Sequence, residues 1–193
     1  MDSQNDHIIK QGTRILTPSE YEALRAIAMK NTPRYAYLMD AMLHTGMRPV
    51  EFERMERSWY RPARRCIELP KGACLKEKCQ YKERTIHLSL PGCDALDNYF
   101  NRGIVKPKKV SLRDTLRRYA KEAGIGEDGI TSKMFRKTLD SWLIACYEDK
   151  YPSIASSMGH DIDTILKHYL GIAFPPGEID KMKVYLNEWG RKL

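Results

Sequence analysis

The segment from Phe135 to Cys146 limits what this chain can become more than any other. Phe135, Leu139, Trp142, Leu143 and Cys146 recur at i, i+4, i+7, i+8 and i+11, which places all five on one face of an α-helix. A stripe carrying a tryptophan and a phenylalanine cannot stay in water, so other elements must close over it. It is too short to enter a lipid bilayer, because the longest unbroken apolar run is Trp142 to Tyr147, far below a span of about 20 residues. The chain is therefore expected to build a helical core around this segment.

The surrounding sequence supplies the partners. In Leu16-Thr17-Pro18-Ser19-Glu20-Tyr21, Thr17 and Glu20 form a capping box, Pro18 takes the first helical position, and Leu16 and Tyr21 make a hydrophobic staple. A helix follows to about Met29, and residues 1–14 read as a tail or linker. A second helix is expected from Pro33 to Thr45, closed by Gly46 as a left-handed cap. A short third helix runs from Pro49 to about Glu56. Arg64 to Leu69 and Glu83 to Ser89 read as strands of a small sheet joined by a long basic loop. Helices are expected from Asp94 to Phe100, from Ser111 to a stop at Gly124, and from Pro152 to Met158, closed by Gly159. Another carries Ile162, Ile165, Leu166 and Tyr169 up to Gly171, and a last amphipathic helix carries Ile179, Met182, Leu186 and Trp189. The fold class is mainly α with a small antiparallel β-sheet: one domain over residues 15–175, followed by a C-terminal helix within 176–193.

Composition narrows the partner. The chain carries 33 Lys+Arg against 25 Asp+Glu, a net +8 over 193 residues. Position matters more than the total. Residues 54–84 carry +6 and residues 101–121 carry +7, so the remainder is mildly acidic. Two confined basic segments on an acidic background read either as a footprint for a polyanion or as two solvated faces. Five cysteines, an odd number without framework spacing, point to a reducing, cytoplasmic setting and away from a secreted disulfide scaffold. The polar, acidic N-terminus is no signal peptide.

Three short islands carry chemistry. Thr45-Gly46-Met47-Arg48-Pro49-Val50-Glu51 places an arginine at a helix–helix junction. Lys133-Met134-Phe135-Arg136 puts two cations on one helix face, where their repulsion calls for a nearby acid. Met158-Gly159-His160 is followed nine residues later by Tyr169. Each has an ordinary reading: a surface arginine, a solvated basic face, a capping histidine, a core tyrosine.

In order and spacing the three islands resemble the catalytic domain of the tyrosine recombinases, the phage-type integrases. That family is marked by T-G-x-R-x-x-E, then H/K-x-x-R, then L-G-H with a nucleophilic tyrosine nine residues on. The resemblance covers residues 14–175, and Lys133 in place of histidine resembles integrases of archaeal viruses and plasmids. It implies a tyrosine-recombinase-like fold, duplex DNA as substrate, and a homo-oligomer, a tetramer, on that DNA, with neither cofactor nor metal. It also implies that the C-terminal helix packs on a neighbouring protomer. The family usually carries a separate N-terminal helical domain, for which the residues before the first helix leave no room, so the chain reads as a catalytic fragment of a longer protein or as a minimal enzyme.

The resemblance implies a role for each matching residue. Tyr169 would attack the scissile phosphorus, leaving a 3′-phosphotyrosine and a free 5′-hydroxyl. Arg48 and Arg136 would clamp the non-bridging oxygens, with Lys133 adding charge. His160 would bond the phosphate or handle the tyrosine proton, and Glu51 would orient Arg48. The family's hairpin lysine, the general acid for the leaving oxygen, falls on Lys78 by closest spacing, with Lys76 next and Lys82 or Lys71 after it. Two other readings share the sequence: a type IB topoisomerase-like nicking-closing enzyme, and an inactive DNA-binding accessory module. Cys66, Cys74, Cys79, His87 and Cys93 lie around the sheet, but without a second tight pair they make a poor zinc set.

Overall fold

The computed structural model describes residues 7–73, 83–169, 171–175 and 177–190. The element order is β1 (Ile9–Lys10), β2 (Thr13–Arg14), α1 (Pro18–Asn31), α2 (Pro33–Thr45), α3 (Pro49–Arg54), β3 (Tyr60–Arg61), β4 (Cys66–Leu69), β5 (Arg84–His87), α4 (Leu90–Asn101), α5 (Lys109–Glu122), α6 (Met134–Cys146), α7 (Tyr151–Met158), α8 (Ile162–His168) and α9 (Glu178–Tyr185). Among the described residues no helix is long and apolar enough to cross a membrane.

Helix α6 carries the stripe from Phe135 and lies at the centre. Phe135, Leu139, Trp142 and Leu143 are all buried, and α2, α7, α9 and β2 pack against the helix. The Trp142 indole donates to the Leu16 carbonyl at 2.9 Å, so this large buried ring leaves no donor unpaired. Leu16 in turn opens α1 through the expected capping box. The Glu20 amide donates to Thr17 Oγ1 at 3.2 Å, and the Thr17 amide donates to Glu20 Oε2 at 3.0 Å. Helix α2 spans Pro33 to Thr45 and ends on Gly46 at φ 55°, as the sequence predicts.

The sheet differs from expectation in extent. It has three antiparallel strands in the order β3-β4-β5, with Tyr60 opposite Ile67 and Ile67 opposite Ile86. The strand expected from Arg64 starts only at Cys66. A single-turn 3-10 helix over Pro62–Arg64 and a left-handed Arg65 at φ 46° reverse the chain there, and neither conformation fits a strand.

Part of the segment expected as a tail is folded. Residues 9–14 form a hairpin whose turn residues, Gln11 and Gly12, both have positive φ, as a type I′ turn requires. Arg14 is fully buried. Its amide donates to the Gly129 carbonyl at 3.0 Å, and Nη2 donates to Glu20 Oε1 at 2.6 Å and also meets His7 Nδ1. The partners around this one buried arginine hold the hairpin to the body.

The C-terminal helix lies on its own chain. Met182, Leu186 and Trp189 are buried, α9 packs on α6 and α1, and Glu178 accepts from the Ser19 amide at 3.0 Å, at the start of α1. The resemblance points instead to a neighbouring protomer as the partner of this tail.

Candidate active site

Gly46 turns the chain from α2 toward α3. Its left-handed backbone points its carbonyl at α6, where it accepts from Arg136 Nη1 at 2.8 Å. A Cβ here would sit 2.8 Å from Leu139 Cδ2 and 2.9 Å from Met158 Sδ, so glycine is required by both torsion and space. Two residues on, Arg48 caps α3. Its amide donates to Glu51 Oε2 at 2.8 Å, its Nη1 to Glu51 Oε1 at 2.9 Å, and its Nη2 to the Gly159 carbonyl at 2.9 Å.

Glu51 is fully buried and also receives a two-pronged bond from Arg84 on β5, at 2.9 and 2.7 Å. Burial alone would raise its pKa. The hydrogen bonds and charge of Arg84, with the charge of Arg48, more than offset that and hold the carboxyl at about 2. Arg84 Nε donates to the Ser157 carbonyl at 3.1 Å, which ties α3, β5 and the end of α7 into one rigid base.

Helix α6 contributes Arg136 and, one turn later, Asp140. Arg136 is buried, with Nη2 donating to the Met158 carbonyl and lying 2.9 Å from His160 Nε2. Burial lowers its pKa, and the Asp140 charge raises it again. Asp140 Oδ2 lies 3.0 Å from His160 Nε2 and 3.8 Å from Arg136 Nε. His160 Nε2 thus stands between a carboxylate that only accepts and a guanidinium that only donates, and its tautomer sets which of the two it bonds.

Tyr169 ends α8, with its ring centroid 5.9 Å from that of His160. It is buried, at 7% exposure. Burial first, then the Asp140 carboxylate, pushes its phenol well above the ordinary range, while Arg136 and Arg48 pull it down. A cavity of about 300 Å³ opens beside the ring, lined by Lys10, Lys137, His160, Lys167, His168 and Tyr169 among others. The hairpin borders it: Lys137 Nζ donates to the Lys10 carbonyl at 2.8 Å, and Gln11 Nε2 meets His168 Nδ1 at 3.2 Å.

Residues 14–174 match the model of the phage integrase family. The chain belongs to that family. Among solved structures, this integrase-family domain is similar to the Tn1549 transposon integrase in complex with circular intermediate DNA, at 14% identity, covering 88% of this chain and 66% of that one, with a TM-score of 0.66. It is also similar to XerA recombinase, at 17% identity, 88% and 63% coverage and a TM-score of 0.63. XerH recombinase bound to its difH substrate matches at 14% identity, 91% and 55% coverage and a TM-score of 0.63. The chain thus spans about two thirds or less of these relatives' length, and likeness at this identity shows the shared fold. No curated protein sequence matches the chain.

Of the site residues expected from sequence, the integrase-family domain brings Arg48, Glu51, Arg136, His160 and Tyr169 together. Lys133 is exposed at the N-cap of α6, one turn before Arg136 and beside Lys137, whose pKa is lowered by burial and by Lys133. Lys71 is exposed in the turn after β4. Lys76, Lys78 and Lys82 lie outside the described residues, as do Cys74 and Cys79 from the zinc set. Among the described residues no group of three or more His, Cys, Asp or Glu could hold a metal ion. Cys66 is buried against the sheet and His87 lies edge-on to Trp189.

Two site residues escape the sequence reading. Arg84 counts there only toward the bulk charge of residues 54–84, because nothing local links it to Glu51, 33 residues away. Asp140 had a signal: the repulsion between Lys133 and Arg136 called for an acid, and Asp140 lies at i+4 from Arg136. The two basic segments also meet in space. Lys106 Nζ donates to the Glu53 and Met55 carbonyls at 3.0 and 2.7 Å, and Arg57 Nη1 to Asn101 Oδ1 at 3.3 Å. Exposed Arg113, Arg117, Arg118 and Lys121 continue this basic surface along α5.

Proposed function

We propose that this domain is a site-specific DNA recombinase that cleaves and rejoins duplex DNA through a 3′-phosphotyrosyl intermediate. One observation carries the reading. Arg48, Arg136, His160 and Tyr169 come from separate segments and converge over the buried Glu51–Arg84 pair, on a chain of the phage integrase family.

In this reading the two guanidiniums hold the non-bridging oxygens of the scissile phosphate. Their preset positions favour the extra charge of the transition state over the ground state, because no solvent need reorganise as the charge grows. Tyr169 attacks in line, and the bond energy stays in the phosphotyrosine until the 5′-hydroxyl of a partner strand reverses the step. A hairpin lysine, Lys78 first and Lys76 second, protonates the leaving oxygen, and Lys133 adds charge at the phosphate. The basic surface of residues 54–84 and 101–121 holds the duplex backbone. Several copies, a tetramer, would assemble on DNA, inside a prokaryotic cell or the host of a virus or plasmid. Lys133 at the H/K position favours a source among archaeal viruses or plasmids.

The test is a trapped adduct. The protein is incubated with randomised duplexes and the mixture denatured in SDS. A covalent protein–DNA species is expected from the wild type and none from Tyr169→Phe, with DNA affinity unchanged within twofold. An equal yield from the Phe variant would remove Tyr169 as nucleophile. Absence of any wild-type adduct would favour an accessory DNA-binding role. Relaxation of supercoils without sequence preference would favour the topoisomerase reading.

A further inference from the structure

Asp140 lies at the centre of the site, on α6, and is 1% exposed. Its Oδ2 lies 3.0 Å from His160 Nε2. Its Oδ1 is buried and accepts no hydrogen bond among the described residues. A carboxylate oxygen left in that state is costly, because it has given up water without gaining a donor. The cost is offset when a donor arrives. The His160 ring that Oδ2 holds is the ring against which Tyr169 packs, at 5.9 Å between centroids. The phenol shares its surroundings with Asp140, Arg136 and Arg48. His160 Nε2 is already engaged by Asp140 Oδ2 and Arg136 Nη2, at 3.0 and 2.9 Å, which leaves Asp140 Oδ1 as the unengaged acceptor.

We infer that Asp140 is the general base of the reaction, taking the phenolic proton of Tyr169 on Oδ1 as the tyrosine attacks. This rests on Tyr169 being the nucleophile. The step balances. The Tyr169 O–P bond forms as the P–O5′ bond breaks, the phenolic proton moves to Asp140, and the leaving oxygen takes its proton from the general acid. Rejoining returns both protons. A carboxylate is adequate for this work, as in kinases, where an aspartate accepts the proton of an attacking hydroxyl. Proton removal is required because a buried phenol beside a carboxylate does not ionise on its own at neutral pH.

The charges facing Asp140 are Arg136 and Lys137 from its own helix and His160 from the α7–α8 turn, while Arg48, Glu51 and Arg84 surround Arg136. Around Tyr169 stand Lys10, Lys137, Lys167 and His168 of the adjoining cavity.

The experiment uses nicked duplexes bearing a site recovered from the trapped adducts, and measures single-turnover adduct formation from pH 6 to 10. With wild type the rate is expected to be level above about pH 7. With Asp140→Asn it should fall about 100-fold or more at pH 7 and then climb nearly tenfold per pH unit, as solvent deprotonation takes over. DNA affinity should stay within twofold. Asp140→Glu, which keeps the carboxylate, should keep a level profile at a reduced rate. A wild-type rate in Asp140→Asn, or one lowered equally at every pH, would overturn the assignment, since a residue that only positions its neighbours gives no climb. If Asp140→Asn does not fold, Asp140→Glu decides: a level profile supports the base role and a climbing one overturns it. Failure of wild type on every duplex would sink the nucleophile reading itself, and this inference with it.

Discussion

Replacing Glu51 by glutamine should cost this domain a large part of its stability, and the cost should depend on pH in a calculable way. The carboxyl is fully buried and accepts from the Arg48 amide, the Arg48 guanidinium and both prongs of Arg84. Its pKa is about 2 in the fold, against about 4.3 in an unfolded chain. At about 1.4 kcal/mol per pH unit, the ionised form contributes about 3 kcal/mol at neutral pH. Breaking a buried ion pair from one side gives a similar figure, about 3–5 kcal/mol, because the remaining charge loses its compensation. The folded pKa is depressed, so this stability is present in full above about pH 4.3 and is lost as pH falls toward 2; by pH 3 roughly half remains. Urea unfolding of wild type and Glu51→Gln at pH 7 and pH 3 should show a gap of about 3 kcal/mol or more at pH 7, narrowing by about 1.5 kcal/mol at pH 3. A gap under about 1 kcal/mol at pH 7, or one of equal size at both pH values, would refute the claim that this carboxylate is the charged keystone under Arg48.

Three further outcomes follow from the geometry. Gly46→Ala should lower stability by about 2 kcal/mol or more in thermal or urea unfolding, since it combines a left-handed torsion with Cβ contacts near 2.8 Å to Leu139 and Met158. Arg84→Lys keeps the charge but loses the fork on Glu51, so adduct formation should slow with DNA affinity unchanged; unaltered kinetics would show that Arg48 does not depend on this support. Replacing Arg117 and Arg118 by alanine should weaken DNA binding for all sequences and reduce the slope of log affinity against log salt by about 2 if both meet phosphates, measured by fluorescence anisotropy.

The helical frame was legible because its signals are local. The Thr17–Glu20 box, Pro33, Gly46 and the stripe from Phe135 act through neighbours within a turn or two, and α1, α2 and α6 lie where those residues place them. The stripe read over Ile162, Ile165, Leu166 and Tyr169 was only partly right: Ile165 and Tyr169 are buried, but Ile162 is 45% exposed and the helix ends at His168. Periodicity marks one side of a helix, and the neighbours decide how wide the buried arc is. The hairpin at residues 9–14 was missed because its strands are two residues each, too short for any alternation to register. What holds it, Glu20 and the Gly129 carbonyl, comes from elsewhere in the chain.

By itself the sequence determined the main helices, the confinement of charge, and the ordered islands holding Arg48, Arg136, His160 and Tyr169, because each is a matter of residue type and short spacing. Only the tertiary structure decided how those islands are held. Arg84 reaches Glu51 across 33 residues, Asp140 meets a histidine 20 residues away, and the hairpin turn touches His168. Such pairings rest on the desolvation of charge inside a packed core. That cost exists only once the core has formed, and it selects which buried arginine meets which carboxylate.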